Sequence, residues 1–134
     1  MRREKIVSAS PTEAVINAFF AAIERADREA IAALYADDLG VWHSNDGITQ
    51  TKAENLRTLG WLTKVATLRY EILERVIDAD KVAQRHRVEM KARTGDKSAV
   101  SEAAIFFTVR DGLICRIDEY IDSDSVRKLT ALFS

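Results

Sequence analysis

From Ser10 onward, apolar residues recur at helical spacing: Val15, Phe19, Ala22 and Ile23 share one face, and Ile16 and Phe20 widen it. A stripe that broad predicts a helix covered on more than one side. Ser10-Pro11-Thr12-Glu13 supplies its start, with serine and glutamate each serving an orphan amide and proline at a position where no N–H is needed. Asp27 caps a shorter second helix whose buried face is Ile31, Leu34 and Tyr35, ending before Asp37-Asp38. Thr51-Lys52-Ala53-Glu54 is another capping box and opens a third helix bearing Leu56, Leu59 and Leu62, with Trp61 beside them.

At Thr67 the period changes to two. Leu68, Tyr70, Ile72 and Val76 alternate with polar residues, and a turn near Asp78-Ala79-Asp80 closes this strand. Three further strands span residues 81–92, 99–109 and 113–121, divided by Thr94-Gly95-Asp96 and Asp111-Gly112. The second divider predicts a tight hairpin, because glycine accepts the positive φ it requires. Ser123 or Ser125 caps a terminal helix carrying Val126, Leu129 and Phe133. With a short strand near Val41, the order is three helices, a four-strand meander and a closing helix, an α+β fold.

Alternation also identifies which ionisable residues lie in phase with the apolar side. His86 shares a face with Val82, Gln84, Val88 and Met90. Glu119 shares one with Leu113, Cys115, Ile117 and Ile121, while His43 and Asn45 are in phase with Leu39 and Val41. Tyr70 is in phase with Leu68 and Ile72. A histidine or carboxylate in such a place is either a satisfied core group or part of a site. Both histidines and Glu119 lie on faces that a curved sheet would aim at one cavity, which points to a ligand pocket that includes Tyr70, with Trp42 and Trp61 as candidate walls. Imidazole titrates near neutrality, so the triad suits proton transfer without a cofactor. The same three residues have the right types for a metal site but no diagnostic spacing.

Length and charge narrow the function. The 134 residues allow one domain, with residues 1–9 a flexible extension ahead of the first cap. A net charge of −1 argues against a general nucleic-acid binder. The lone cysteine, Cys115, closes no intrachain disulfide, and no apolar run is long enough to span a bilayer, so the expected location is the cytoplasm. Residues 100–109 are apolar on both faces, with Ala104 and Phe106 opposite Ile105 and Phe107, so a second surface must cover the strand.

The element order, with Leu34-Tyr35-Ala36-Asp37-Asp38, Asp111-Gly112-Leu113-Ile114 and Glu119-Tyr120-Ile121-Asp122, resembles the nuclear transport factor 2-like superfamily, particularly its SnoaL-like branch. The resemblance covers almost the whole chain. It implies a cone-shaped domain, a strongly bent sheet around the N-terminal helices, a pocket at the open end and a homodimer through the outer sheet face. Its enzymes match only in part. The limonene epoxide hydrolase pattern places its two aspartates on Val88 and Glu119 and its arginine on His86; the ketosteroid isomerase pattern places its base on His43 and its tyrosine on Phe19. Scytalone dehydratase places a histidine on His86. Inward strand phase, combined with the pocket position that the resemblance implies, makes His43, His86 and Glu119 the candidate catalytic residues. Tyr70, Trp61, Asn45, Phe19 and Val88 are the candidate ligand contacts. A cofactor-free dehydratase or isomerase acting on a small hydrophobic molecule follows, with a non-catalytic binding or protein-interaction domain as the alternative.

Overall fold

A computed structural model describes residues 10–133; the expected flexible extension, 1–9, lies outside them. The elements are α1 (Pro11–Glu24), α2 (Arg28–Leu34), β1 (Tyr35–His43), β2 (Thr49–Thr51), α3 (Lys52–Val65), β3 (Ala66–Asp78), β4 (Lys81–Ala92), β5 (Ser98–Arg110), β6 (Leu113–Ile121) and α4 (Ser123–Thr130), followed by a 3₁₀ turn over Ala131–Phe133. This is an α+β fold. The six strands form one sheet in the order β2-β1-β6-β5-β4-β3, antiparallel except where β1 runs parallel to β6. The strand expected near Val41 is therefore nine residues long and adds to the meander, and the three-residue β2 beyond it has too little periodicity to be read from sequence.

The helix starts follow their capping chemistry with two differences. Thr51 and Glu54 form the complete reciprocal box, whereas at α1 only Ser10 caps and Glu13 is 3.3 Å from Arg75 of β3 instead. At α4 the cap is Asp122, which accepts from Ser125, so neither serine serves. There Leu132 is buried rather than Phe133.

The core lies between the inner sheet face and the helices, with Ile16, Phe19, Phe20 and Ile23 of α1 packed over Val82, Ile105, Phe107 and Ile117. Two bulges break the alternation. On β3 an extra residue at Leu73 moves Arg75 and Ile77 opposite Gln84 and Val82, while Val76 turns outward and is exposed. Val76 is therefore out of phase with Leu68 and Tyr70. On β6 the shift falls at Cys115, so Ile114 is buried instead of Leu113 and Cys115. Cys115 is half-buried. Past this bulge Ile117 and Glu119 regain the inward phase.

The outer face of the sheet carries a row formed by Trp42, Asp118, Phe106, Ala83 and Val76 on successive strands. Tyr120 meets both Trp42 and Phe106 edge-on. Among the described residues, no helix is long and apolar enough to cross a membrane.

Candidate active site

His43 and Glu119 come from the two strands that pair in parallel. They are register partners on β1 and β6, two residues beyond the buried pair Val41 and Ile117, and so project on the same side. Nε2 of His43 lies 3.2 Å from Oε1 of Glu119, with both side chains about a quarter exposed. Hydrogen bonding to Glu119 raises the His43 pKa above its ordinary value against the opposing effect of burial, with the charges of Glu119 and Asp46 adding to the rise. A carboxylate oxygen accepts, so the Nε2 proton of His43 faces Glu119.

His86 enters from β4 and is 1 % exposed. Burial holds its pKa below the ordinary value, although the charge of Glu119 works the other way. The two histidines are thus shifted in opposite directions, because one meets a carboxylate directly and the other is enclosed by aromatic rings. Phe20 and Tyr70 both meet the His86 ring edge-on, at centroid distances of 5.6 and 5.1 Å.

These groups line one narrow cavity of about 60 Å³ with Phe19, Phe20, Tyr35, Asn55 and Tyr70. Burial raises the pKa of both tyrosines, and the charge of Glu119 adds to it, so each phenol keeps its proton. Tyr35 donates to Asn55 Oδ1 at 2.6 Å, and Asn55 in turn donates to Gln50 at 2.9 Å.

Of the residues singled out in the sequence, His43, His86, Glu119, Tyr70 and Phe19 line this cavity. Four do not. Trp42 stands on the outer sheet face against Tyr120. Trp61 is half-exposed, stacks edge-on against Phe133 and borders a separate open groove with Lys64 and Arg93, because it sits on the α3 face away from Leu56. Asn45 lies exposed in the turn after β1, beyond the end of the alternating strand. Val88 is buried in the core and does not line the cavity. Sequence reasoning missed Tyr35 and Asn55. Asn55 carries a readable signal, since with Leu59 and Leu62 it stands at helical spacing as one polar residue in an apolar stripe. Among the described residues, no group of three His, Cys, Asp or Glu side chains is arranged to hold a metal ion.

The SnoaL-like domain model matches residues 16–117. The chain belongs to this family. Similar solved structures share the nuclear transport factor 2-like fold of this SnoaL-like domain. An LEH-like epoxide hydrolase from M. tuberculosis is 18 % identical, with 91 % of this chain and 89 % of that one covered and a TM-score of 0.76. A protein with a ketosteroid isomerase-like fold from Catenulispora acidiphila, in complex with trimethylamine, is 17 % identical over 84 % and 88 % of the two chains, with a TM-score of 0.72. TerC co-crystallised with polyporic acid is 22 % identical over 91 % and 99 %, with a TM-score of 0.77. No functionally curated protein matches the sequence. At these identities the structural likeness carries the fold of the SnoaL-like domain and leaves its reaction to be argued from the site.

Proposed function

We propose that this SnoaL-like domain is a cofactor-independent isomerase or lyase that moves a proton on a small, largely apolar organic molecule. The observation that carries this reading is the His43–Glu119 pair, 3.2 Å apart at the wall of an aromatic cavity. Glu119 is the proton acceptor; His43 donates to it, fixes its orientation and offsets its charge. Shielding from water strengthens such a pair relative to the same groups on an open surface. That two similar folds hold trimethylamine and polyporic acid supports a small organic ligand here.

The exposed side chains of Val76, Phe106 and Tyr120 on the outer sheet face support a homodimer through that face. The single free cysteine suits the reducing cytoplasm.

The test is solvent-deuterium exchange. A panel of small apolar ketones, β-hydroxy ketones and alcohols is incubated with the protein in D2O and read by mass spectrometry. The expected result is deuterium incorporation or loss of water with at least one of them, abolished in Glu119→Gln. Binding without exchange across the panel would replace catalysis by the ligand-binding reading.

A further inference from the structure

The surroundings of His86 fix more than its burial. Its Nδ1 lies 3.0 Å from Nε2 of Gln84. Gln84 is itself held on its other side, where Oε1 accepts from Nε of Arg75 at 2.8 Å. A guanidinium has donors only, so Gln84 must present its oxygen to Arg75 and its NH2 group to the imidazole. The NH2 group donates, and Nδ1 must therefore accept. In the neutral ring the proton then resides on Nε2.

Arg75 is in turn seated against α1, with Nη1 2.6 Å from Asn17 Oδ1 and 3.3 Å from Glu13 Oε2. The chain of contacts runs from the first helix, through the bulged strand β3, to the ring on β4. At its end, Nε2 of His86 is buried and has no hydrogen-bond partner in the protein. His86 lines the cavity, and with Nδ1 occupied by Gln84, Nε2 is the ring nitrogen left without a partner. A buried donor left without a partner carries an uncompensated desolvation cost. A ligand oxygen would recover that cost.

We infer that Arg75 and Gln84 lock His86 as a neutral Nε2–H donor, and that this donor receives the oxygen of a carbonyl-bearing ligand. The inference rests on the proton-transfer reading above and names its substrate class. Glu119 takes the proton from the carbon beside the carbonyl as that C–H bond breaks, and the electron pair moves onto the carbonyl oxygen. His86 donates a hydrogen bond to that oxygen throughout and keeps its own proton; return of the proton from Glu119 to carbon completes an isomerisation. Burial disfavours the imidazolium, in keeping with this role; Glu119 is the charged group that opposes it directly, and Arg75 stands behind the neutral amide. Arg75 and Gln84 are positioning residues.

The test is long-range ¹⁵N–¹H correlation NMR of the histidine rings in the full chain. At neutral pH the wild-type protein should show His86 as the neutral, Nε2-protonated tautomer. Gln84→Glu places an acceptor beside Nδ1 and should move the proton there, and Arg75→Met frees the amide to turn and should give a mixture of tautomers. Titration with cyclopentanone should shift the Nε2–H proton downfield, whereas methylcyclopentane, which lacks an acceptor, should not. An Nδ1–H tautomer or an imidazolium in the wild type at neutral pH overturns the lock, as does an unchanged tautomer in the folded variants. Should Gln84→Glu not fold, Arg75→Met and the wild-type spectrum decide. No downfield shift of Nε2–H up to the solubility limit of cyclopentanone overturns the carbonyl assignment. Glu119→Gln should leave the tautomer intact, so a wrong tautomer with working exchange rejects this inference alone. A correct tautomer without exchange rejects only the catalytic reading.

Discussion

Tyr35, the first residue of β1, donates its hydroxyl to Asn55 of α3 across 2.6 Å, with both residues almost fully buried. The bond ties the sheet to the third helix at the cavity wall. Tyr35→Phe keeps the ring and removes the donor, leaving the Asn55 oxygen unpaired. We expect a loss of about 1–3 kcal/mol in urea denaturation, with ligand binding weakened by a loosened wall. A change within experimental error would mean that Asn55 finds another partner.

The His43–Glu119 pair makes stability depend on pH in a defined direction. The folded-state pKa of His43 lies above its ordinary value of 6.5. The pair's contribution is therefore complete below that unfolded value and disappears as pH rises through the raised one. Glu119 also favours the charged form of His86, so Glu119→Gln withdraws support from both rings in acid. The stability gap between wild type and Glu119→Gln should be about 1 kcal/mol near pH 5.5 and close to zero near pH 8.5. A gap that widens toward alkaline pH would contradict the assignment.

The proposed homodimer through the outer sheet face would make Phe106 a central contact, since it is exposed on β5 and meets Tyr120 edge-on. Sedimentation should give a dimer for the wild type and a monomer for Phe106→Glu. Because the side chain is outside the core, the isolated monomer should keep its fold by circular dichroism. A wild-type monomer at high concentration would remove the proposed interface.

Helix α1 ends in a Schellman arrangement: the Asp27 amide bonds to Ala22 and the Ala26 amide to Ile23, with Ala26 at φ 57°. Alanine carries a steric penalty in that left-handed conformation, and glycine does not. Ala26→Gly should raise stability by about 0.5–1 kcal/mol in chemical denaturation. A loss would show that the helix end is held by contacts of the alanine methyl.

The sequence makes the starts of the first three helices, the hairpin at Asp111-Gly112 and the inward phase of His86 legible, because each depends on neighbours within a few residues. The turn itself bears this out, with Asp111 and Gly112 both at positive φ. The inward phase of Glu119 is legible too, although the residues given as its companions, Leu113 and Cys115, are not inward ones. Alternation assumes an unbroken ladder, and a bulge is set by the pairing of two strands rather than by either alone. The same limit hides the role of Arg75, whose phase is reversed at Leu73 and whose partners Glu13 and Asn17 lie about sixty positions away in sequence. Trp61 and Asn45 misled for a simpler reason: a residue near an apolar stripe or beyond a strand end need not follow its phase.

The irregularity at Cys115 bears on how such a site can change over time. Counting from Asp111-Gly112 along an unbroken strand, the side chains following Ile114 on the inner face would be Arg116 and Asp118. The additional residue hands that position to Glu119. Loss of the Cys115 codon would remove the bulge and leave Ile114, Ile117 and Glu119 in the inward phase, whereas closing the ladder with all nine residues kept would turn Arg116 and Asp118 inward instead. The acid facing the cavity is thus selected by the pairing of the hairpin as much as by side-chain identity, and the bulge is a place where one residue can be lost without changing which acid that is.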